Sequence, residues 1–192
     1  MNMLAIYGSP RVNGNSDTLL DEFCRGAESA GARVTKKYLR DMDIMPCTEC
    51  GSCDDTGVCI YDDDYQDVYN MLGDIDAMIV ASPIFFYGVS AITKAFIDRS
   101  QAFYMNKYYV EPQLKEIKKV DKKKGYFLSC GATQGKSIFE GPRYNMKYFY
   151  DAINFNFVDS LLFKGLDKKG EAGDLPALLK ECYDAGVNAA KQ

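Results

Sequence analysis

The sequence predicts an α/β protein, a doubly wound five-stranded parallel sheet with helices on both faces. Three observations lead there. Strand-like apolar runs alternate with helix-like amphipathic runs along the chain. One run, Ala77-Met78-Ile79-Val80-Ala81-Ser82, is continuously apolar, as a strand covered on both faces must be. The 192 residues, 47% hydrophobic and 26% charged, suffice for one core, and a single domain over 1–192 is expected.

The elements follow in order. Leu4 to Gly8 is a short apolar strand, and from Ser16 to Ala30 the positions Leu19, Leu20, Phe23, Cys24 and Ala27 recur at helical spacing. Ala32 to Leu39 is a half-exposed strand, interrupted by Arg33, Lys36 and Lys37. A cysteine-rich loop over 46–60 comes next, then a helix near Asp62-Asp63-Asp64, whose carboxylates suit a helix N-terminus as caps. After the Ala77 strand come a helix from Ser90 to Gln101, a strand over Gly125 to Cys130 and a helix around Ser137 to Tyr150. Phe155 to Leu162 is the last strand, and Leu175 to Ala190 the closing helix. No internal repeat or low-complexity linker interrupts the series.

Composition narrows the chemistry. The histidine count is zero, which excludes Ser-His-Asp and Cys-His nucleophilic machinery and His-ligated zinc or haem. A formal net charge of −4 favours no nucleic acid, and no apolar run reaches membrane-spanning length. Met1 to Tyr7 lacks the charged lead of a signal peptide, so a cytoplasmic, reducing location is expected. There, clustered cysteines point to metal or redox work before disulfides.

Three loops at the carboxyl ends of strands carry unusual residues. Gly8-Ser9-Pro10-Arg11-Val12-Asn13-Gly14-Asn15-Ser16-Asp17-Thr18 offers short donors at Ser9, Asn15, Ser16 and Thr18, a cation at Arg11 and a helix N-terminus. That set suits a phosphomonoester; a polar turn in which Ser16 or Asn15 merely caps the helix is the plainer alternative. Ser82-Pro83-Ile84-Phe85-Phe86-Tyr87-Gly88-Val89-Ser90 would leave aromatic surface wet unless a flat ring covers it, its own core absorbs it or a subunit packs on it. Ser129-Cys130-Gly131-Ala132-Thr133-Gln134-Gly135-Lys136-Ser137 looks like a nucleotide triphosphate loop, but three residues separate Gly131 from Gly135 where that motif needs four. Its small residues read better as backbone donors to ring heteroatoms.

Of seven cysteines, four fall within 13 positions: Cys47, Cys50, Cys53 and Cys59, spaced C-x2-C-x2-C-x5-C. The opening matches ferredoxin-type ligation of a [4Fe–4S] cluster, and Gly51 and Gly57 let the backbone bend around one. Zinc and a cluster-free loop of thiols or disulfides remain as alternatives. Glu49, Asp54 and Asp55 add negative charge there, which would lower the potential of a cluster and suit a basic donor. Cys24 and Cys182 read as small core residues, and Cys130 as a ring contact or filler at a strand end.

Gly8-Ser9-Pro10-Arg11 with Gly14-Asn15-Ser16, together with Ser82-Pro83-Ile84-Phe85, resembles the NADPH-dependent FMN reductase family of the flavodoxin-like superfamily over about residues 3 to 162. The inserted cysteines resemble its iron–sulfur flavoprotein branch. The resemblance implies FMN, with its phosphate at Ser9, Arg11, Asn15, Ser16 and Thr18. It places the flavin ring against Pro83, Ile84, Phe85 and Phe86 and against Gly131, Ala132 and Thr133. It also implies a homodimer or homotetramer and flavin-centred chemistry without a catalytic side chain. Electrons would pass between a [4Fe–4S] cluster and FMN to a small-molecule acceptor, with a ferredoxin-like protein as a candidate donor. A cluster-free NAD(P)H-dependent FMN or quinone reductase and a non-catalytic flavodoxin-like carrier are the alternatives. The third loop departs from the family's Gly-rich form through Cys130 and Gln134. Lys115, Lys118, Lys119, Lys122, Lys123 and Lys124 form the basic run, either a solvated loop or a dock for NADPH phosphate. Tyr104, Tyr108 and Tyr109 are expected to pack in a core or interface.

Overall fold

The computed structural model describes residues 1–117 and 122–191. Five strands, β1 (Asn2–Tyr7), β2 (Arg33–Tyr38), β3 (Ala77–Pro83), β4 (Lys123–Gly131) and β5 (Phe155–Lys164), form one sheet in the order β2-β1-β3-β4-β5. Every pairing is parallel, with Leu4 opposite Thr35 on one side and Met78 on the other. This is the flavodoxin-like order, and the progression of strands along the sheet reverses between β1 and β3, where the carboxyl ends open a crevice.

The helices are α1 (Asn15–Ser29), α2 (Tyr65–Met71), α3 (Ala91–Asp98), α4 (Gln101–Met105), α5 (Glu140–Ala152) and α6 (Pro176–Lys191). Successive strand residues point to opposite faces, so β1 sends Met3, Ala5 and Tyr7 into one core and Leu4 and Ile6 into the other. The first core packs Leu19, Leu20, Phe23 and Cys24 of α1 against Cys182 and Ala189 of α6. The second gathers Val68, Phe96, Met146, Phe149 and Tyr150 from α2, α3 and α5. Full burial of each such large apolar side chain is worth roughly 1.5–3 kcal/mol. Helices α1 and α6 touch backbone to backbone: a Cβ at Gly186 would stand 1.9 Å from Phe23 O, and one at Gly26 2.0 Å from Tyr183 O.

Several expectations need correction. The helix expected from Ser90 to Gln101 breaks at Arg99 and Ser100, where Ser100 Oγ donates to Ile97 O at 2.6 Å, and the chain restarts as α4. The helix expected from Ser137 begins at Glu140. The aspartates before α2 do not all serve it, for no side-chain cap comes from Asp64, whose carboxylate accepts from Asp43 N at 2.7 Å instead. Asp63 accepts from Tyr65 N at 3.1 Å but also takes Met45 N at 3.0 Å. These carboxylates tie together the two stems of the cysteine loop. In the basic run, Lys123 is spent on the carbonyls of Leu72 and Gly73 at 2.6 and 2.5 Å, and Lys115 sits over the Tyr108 ring. Lys118 and Lys119 lie outside the described residues. Among the described residues, no helix is long and apolar enough to cross a membrane.

Candidate functional site

The three loops singled out by composition meet at the carboxyl ends of β1, β3 and β4 and are laced by hydroxyls. Gly8 N donates to Ala81 O at 2.8 Å, while Gly8 O accepts from Ser90 Oγ at 2.6 Å and Thr93 Oγ1 at 3.1 Å. A Cβ at Gly8 would lie 2.0 Å from Thr93 Oγ1, so glycine is required for this approach. Ser129 Oγ donates to Ser82 O at 2.7 Å, and Ile84 N to Cys130 O at 2.9 Å, which closes the third loop onto the second.

In the first loop, Ser9 Oγ is folded back on its own turn, accepting from Arg11 N at 3.1 Å and donating to Arg11 O at 3.2 Å. The Arg11 side chain is exposed. Helix α1 begins after Gly14 with no side-chain cap, leaving the first-turn N–H groups for something else. This removes the plain capping role for Ser16 and Asn15. Ser16 Oγ is buried; the Cys130 thiol is its neighbour, but no atom meets it in hydrogen-bond geometry. Thr18 Oγ1 donates to Gly14 O at 3.2 Å. Asn15 turns elsewhere: its amide donates to Lys168 O at 3.0 Å and accepts from Ala172 N at 3.1 Å. Its side chain braces the loop against the segment before α6, so a ligand would meet its backbone N–H.

Sequence reasoning missed the pair beneath this loop. Arg40 Nη1 donates to Asp17 Oδ2 at 2.9 Å and to Ser9 O at 3.2 Å, and Asp17 Oδ2 also accepts from Asn13 N at 3.1 Å. Burial raises the Asp17 pKa, and Arg40 pulls the other way without winning. No short-range pattern links positions 17 and 40; the buried acid in the first helical turn was the available signal.

In the second loop, Phe85 N donates to Gly88 O at 3.0 Å and Gly88 N returns to Phe85 O at 2.9 Å. The two residues between have φ of 48° at Phe86 and 61° at Tyr87, a tight hairpin turn that normally uses Asn and Gly. Phe86 is fully exposed, and Phe85 and Tyr87 are about half exposed at 49% and 53%. Neither the chain's own core nor the sheet absorbs this aromatic tip. Gly131 is buried against Ile84, while Ala132 and Thr133 are exposed beside it. Cys130 is buried and its thiol pKa is pushed up to about 12 by that burial, which makes it a filler rather than a reactive thiol.

The cysteine loop forms a second site. Cys47, Cys50, Cys53 and Cys59 all line one cavity of about 290 Å³, with Ile60, Tyr61, Arg99 and Ala102 completing its wall. Glu49 (φ 53°) and Gly51 (φ 77°) take left-handed conformations, and the chain turns through Asp54 N to Gly51 O at 3.0 Å and Gly57 N to Cys53 O at 2.9 Å. Gly57 lies so close to Asn106 that a Cβ would stand 2.6 Å from its Cβ. All seven cysteines are free thiols. Among the described residues, no three His, Cys, Asp or Glu side chains converge where they could share one metal ion. The four thiols ring a space, which suits a polynuclear group bonded at several irons better than one ion with four ligands at about 2.3 Å.

Comparisons with known proteins agree with this geometry. The profile described as NADPH-dependent FMN reductase matches residues 1–140. An iron–sulfur flavoprotein of Archaeoglobus fulgidus is 37% identical over 99 residues, covering 52% of this chain and 45% of that protein. One of Methanosarcina thermophila is 31% identical over 100 residues, covering 52% of each. The matched stretch thus spans about half the length of these curated relatives, 45% and 52%. Among solved structures, the NAD(P)H:quinone oxidoreductase of Methanothermobacter marburgensis superposes with a TM-score of 0.72 over 98% of both chains at 16% identity, a likeness of fold.

Proposed function

Because the chain belongs to the NADPH-dependent FMN reductase family, on the branch it shares with the iron–sulfur flavoproteins, we propose that it is an FMN-dependent oxidoreductase that also holds a [4Fe–4S] cluster. The observation that carries the flavin assignment is Ser16, a buried hydroxyl without a partner at the uncapped start of a 15-residue helix. A buried polar group of that kind costs about 1–3 kcal/mol, and a phosphate oxygen would recover it while meeting the free N–H groups of the first turn. The four thiols around one cavity support the cluster.

Bound FMN supplies two-electron chemistry that can also run in single-electron steps, and a [4Fe–4S] cluster supplies single electrons. The chain's own residues place and shield these groups. Arg11 brings a cation to the phosphate from the solvent side, and the Arg40–Asp17 pair beneath fixes the loop through Ser9 O and Asn13 N. Pro83, Ile84, Phe85 and Phe86 form the wall that excludes water from one face of the ring. Backbone donors at Gly131, Ala132 and Thr133 meet its edge. Cys47, Cys50, Cys53 and Cys59 are the four ligands of the cluster.

Exposed Tyr109, Tyr144 and Tyr148, with Tyr104 at their side, suit contact between copies of the chain in a homodimer or homotetramer. The electron donor is proposed to be NADPH or a ferredoxin-like protein, the acceptor a small molecule, and a reducing cytoplasmic setting keeps the thiols free.

Anaerobic purification followed by assay of FMN, iron, acid-labile sulfide and zinc tests both cofactors. Zinc without sulfide overturns the cluster, and absence of flavin uptake overturns the whole reading. Bleaching of the flavin by NADPH alone identifies a reductase; bleaching only by a reduced ferredoxin identifies the protein donor. Ser16→Ala should weaken FMN about tenfold and riboflavin hardly at all, since riboflavin lacks the phosphate. Equal losses for both ligands would remove Ser16 from the phosphate site.

A further inference from the structure

The cavity ringed by four thiols also contains a cation. Arg99 lines it, and its side chain is fully buried. The guanidinium clamps both stems of the cysteine loop. Nη1 donates to Met45 O at 2.9 Å, two residues before Cys47, and Nη2 to Tyr61 O at 3.4 Å, two residues after Cys59. Nη1 also pairs with Asp63, and the rings of Tyr61 and Tyr65 cover the group at 5.1 and 4.9 Å. Nε, in contrast, is buried without a partner. A guanidinium is permanently charged in proteins, so the cavity wall carries a fixed cation.

We propose that Arg99 is the counter-charge of the cysteine cavity, a positioning residue that fixes both loop stems and raises the reduction potential of the cluster held there. The inference rests on the cluster reading above. Uptake of one electron, with no bond made or broken, adds a negative charge to a group already anionic through its four thiolates. A buried guanidinium favours that more negative form. The exposed carboxylates of Glu49, Asp54 and Asp55 act in the opposite direction, but through solvent and salt, which screen them. Asp63 retains only 9% side-chain exposure and offsets part of the arginine. Arg99 and Asp63 therefore have opposite effects on the potential, although both hold the same loop. A purely structural clamp would make their loss act alike.

The test is an anaerobic redox titration of the reconstituted full chain with low-potential mediators, followed by the cluster's electron paramagnetic resonance signal, with iron and sulfide assayed in each sample. Arg99→Gln should disfavour cluster reduction at least tenfold, a downward shift of about 59 mV for a one-electron couple. Arg99→Lys should stay within threefold of the parent. Asp63→Asn should shift the potential upward. A parent chain that takes up no iron with sulfide overturns the cluster reading and this inference with it. A loaded Arg99→Gln chain with the parent's potential overturns this inference alone. Should Arg99→Gln shed its iron, the sign for Asp63→Asn decides: an unshifted or lowered potential refutes the counter-charge, and loss of iron in every variant leaves a clamp and nothing more.

Discussion

Phe86→Asn should make the FMN-free protein more stable and the FMN complex weaker, two effects of opposite sign from one substitution. Phe86 sits at φ 48°, a left-handed conformation that costs an L-residue roughly 1–2 kcal/mol and that Asn adopts more readily. The benzyl group is fully exposed, so its removal forfeits no packing in the free protein. The net gain is about 1 kcal/mol, or a rise in Tm of about 2–4 °C for a chain of this size. Loss of an aromatic face against the flavin should cost roughly 0.5–1.5 kcal/mol, weakening FMN about 2- to 13-fold. Phe86 is the residue to change, because the Tyr87 hydroxyl packs beside Gly135 and its removal would disturb the third loop as well. Urea melts of the FMN-free protein and fluorescence titration with FMN read the two effects separately. An unchanged or lowered urea midpoint would show that the turn stores no strain, and an unchanged FMN affinity would take Phe86 out of the flavin wall.

Two further outcomes concern stability. Burial raises the Asp151 pKa, but hydrogen bonds from Lys107 and Tyr108 and the charges of Lys107 and Lys122 outweigh it, leaving the folded value depressed. A depressed acid stabilises the fold above its unfolded pKa of about 3.9 and loses that contribution as pH falls through the folded value. Asp151→Asn should therefore cost about 1 kcal/mol at pH 6, after allowance for the carboxylate's exposure, with the difference from the parent closing below about pH 4; a gap independent of pH would refute the assignment. Gly186→Ala places a methyl group 1.9 Å from Phe23 O and must push α1 from α6. It should lower the unfolding free energy by roughly 1–3 kcal/mol, read as a lower urea midpoint with an unchanged slope, and a parent-like midpoint would contradict the close approach.

The strands were legible because their signal is local. Ala77 to Ser82 is apolar on both faces wherever it sits, and the parallel order of the sheet follows from alternation with helices. The hydroxyl-rich loop after β1 and the cysteine loop could be singled out for the same reason, since each collects its polar or thiol side chains within a dozen or so consecutive residues. What could not be read was pairing at a distance. Asn15 has the composition of a phosphate ligand, yet its amide is satisfied at Lys168 and Ala172, far along the chain. No pattern in the sequence singles out Arg40 or Arg99, and only the folded chain places them under Asp17 and beside Asp63. The break at Ser100 was hidden because the apolar spacing runs on through it into Ala102 and Phe103.

Helix α3 begins at one site and ends at the other. Near its start Thr93 holds Gly8 O, and at its close Arg99, still helical at φ −66° and ψ −15°, enters the cysteine cavity. Arg99 lies six positions after Thr93, which on an α-helix is a rise of about 9 Å and a rotation of about 240°. The rise acts as a ruler and the rotation as a protractor. Adding one residue between them would lengthen the interval by only about 1.5 Å but swing the guanidinium by about 100° out of the cavity. The count from Thr93 to Arg99 fixes how the loops at the carboxyl ends of the strands and the thiols face each other.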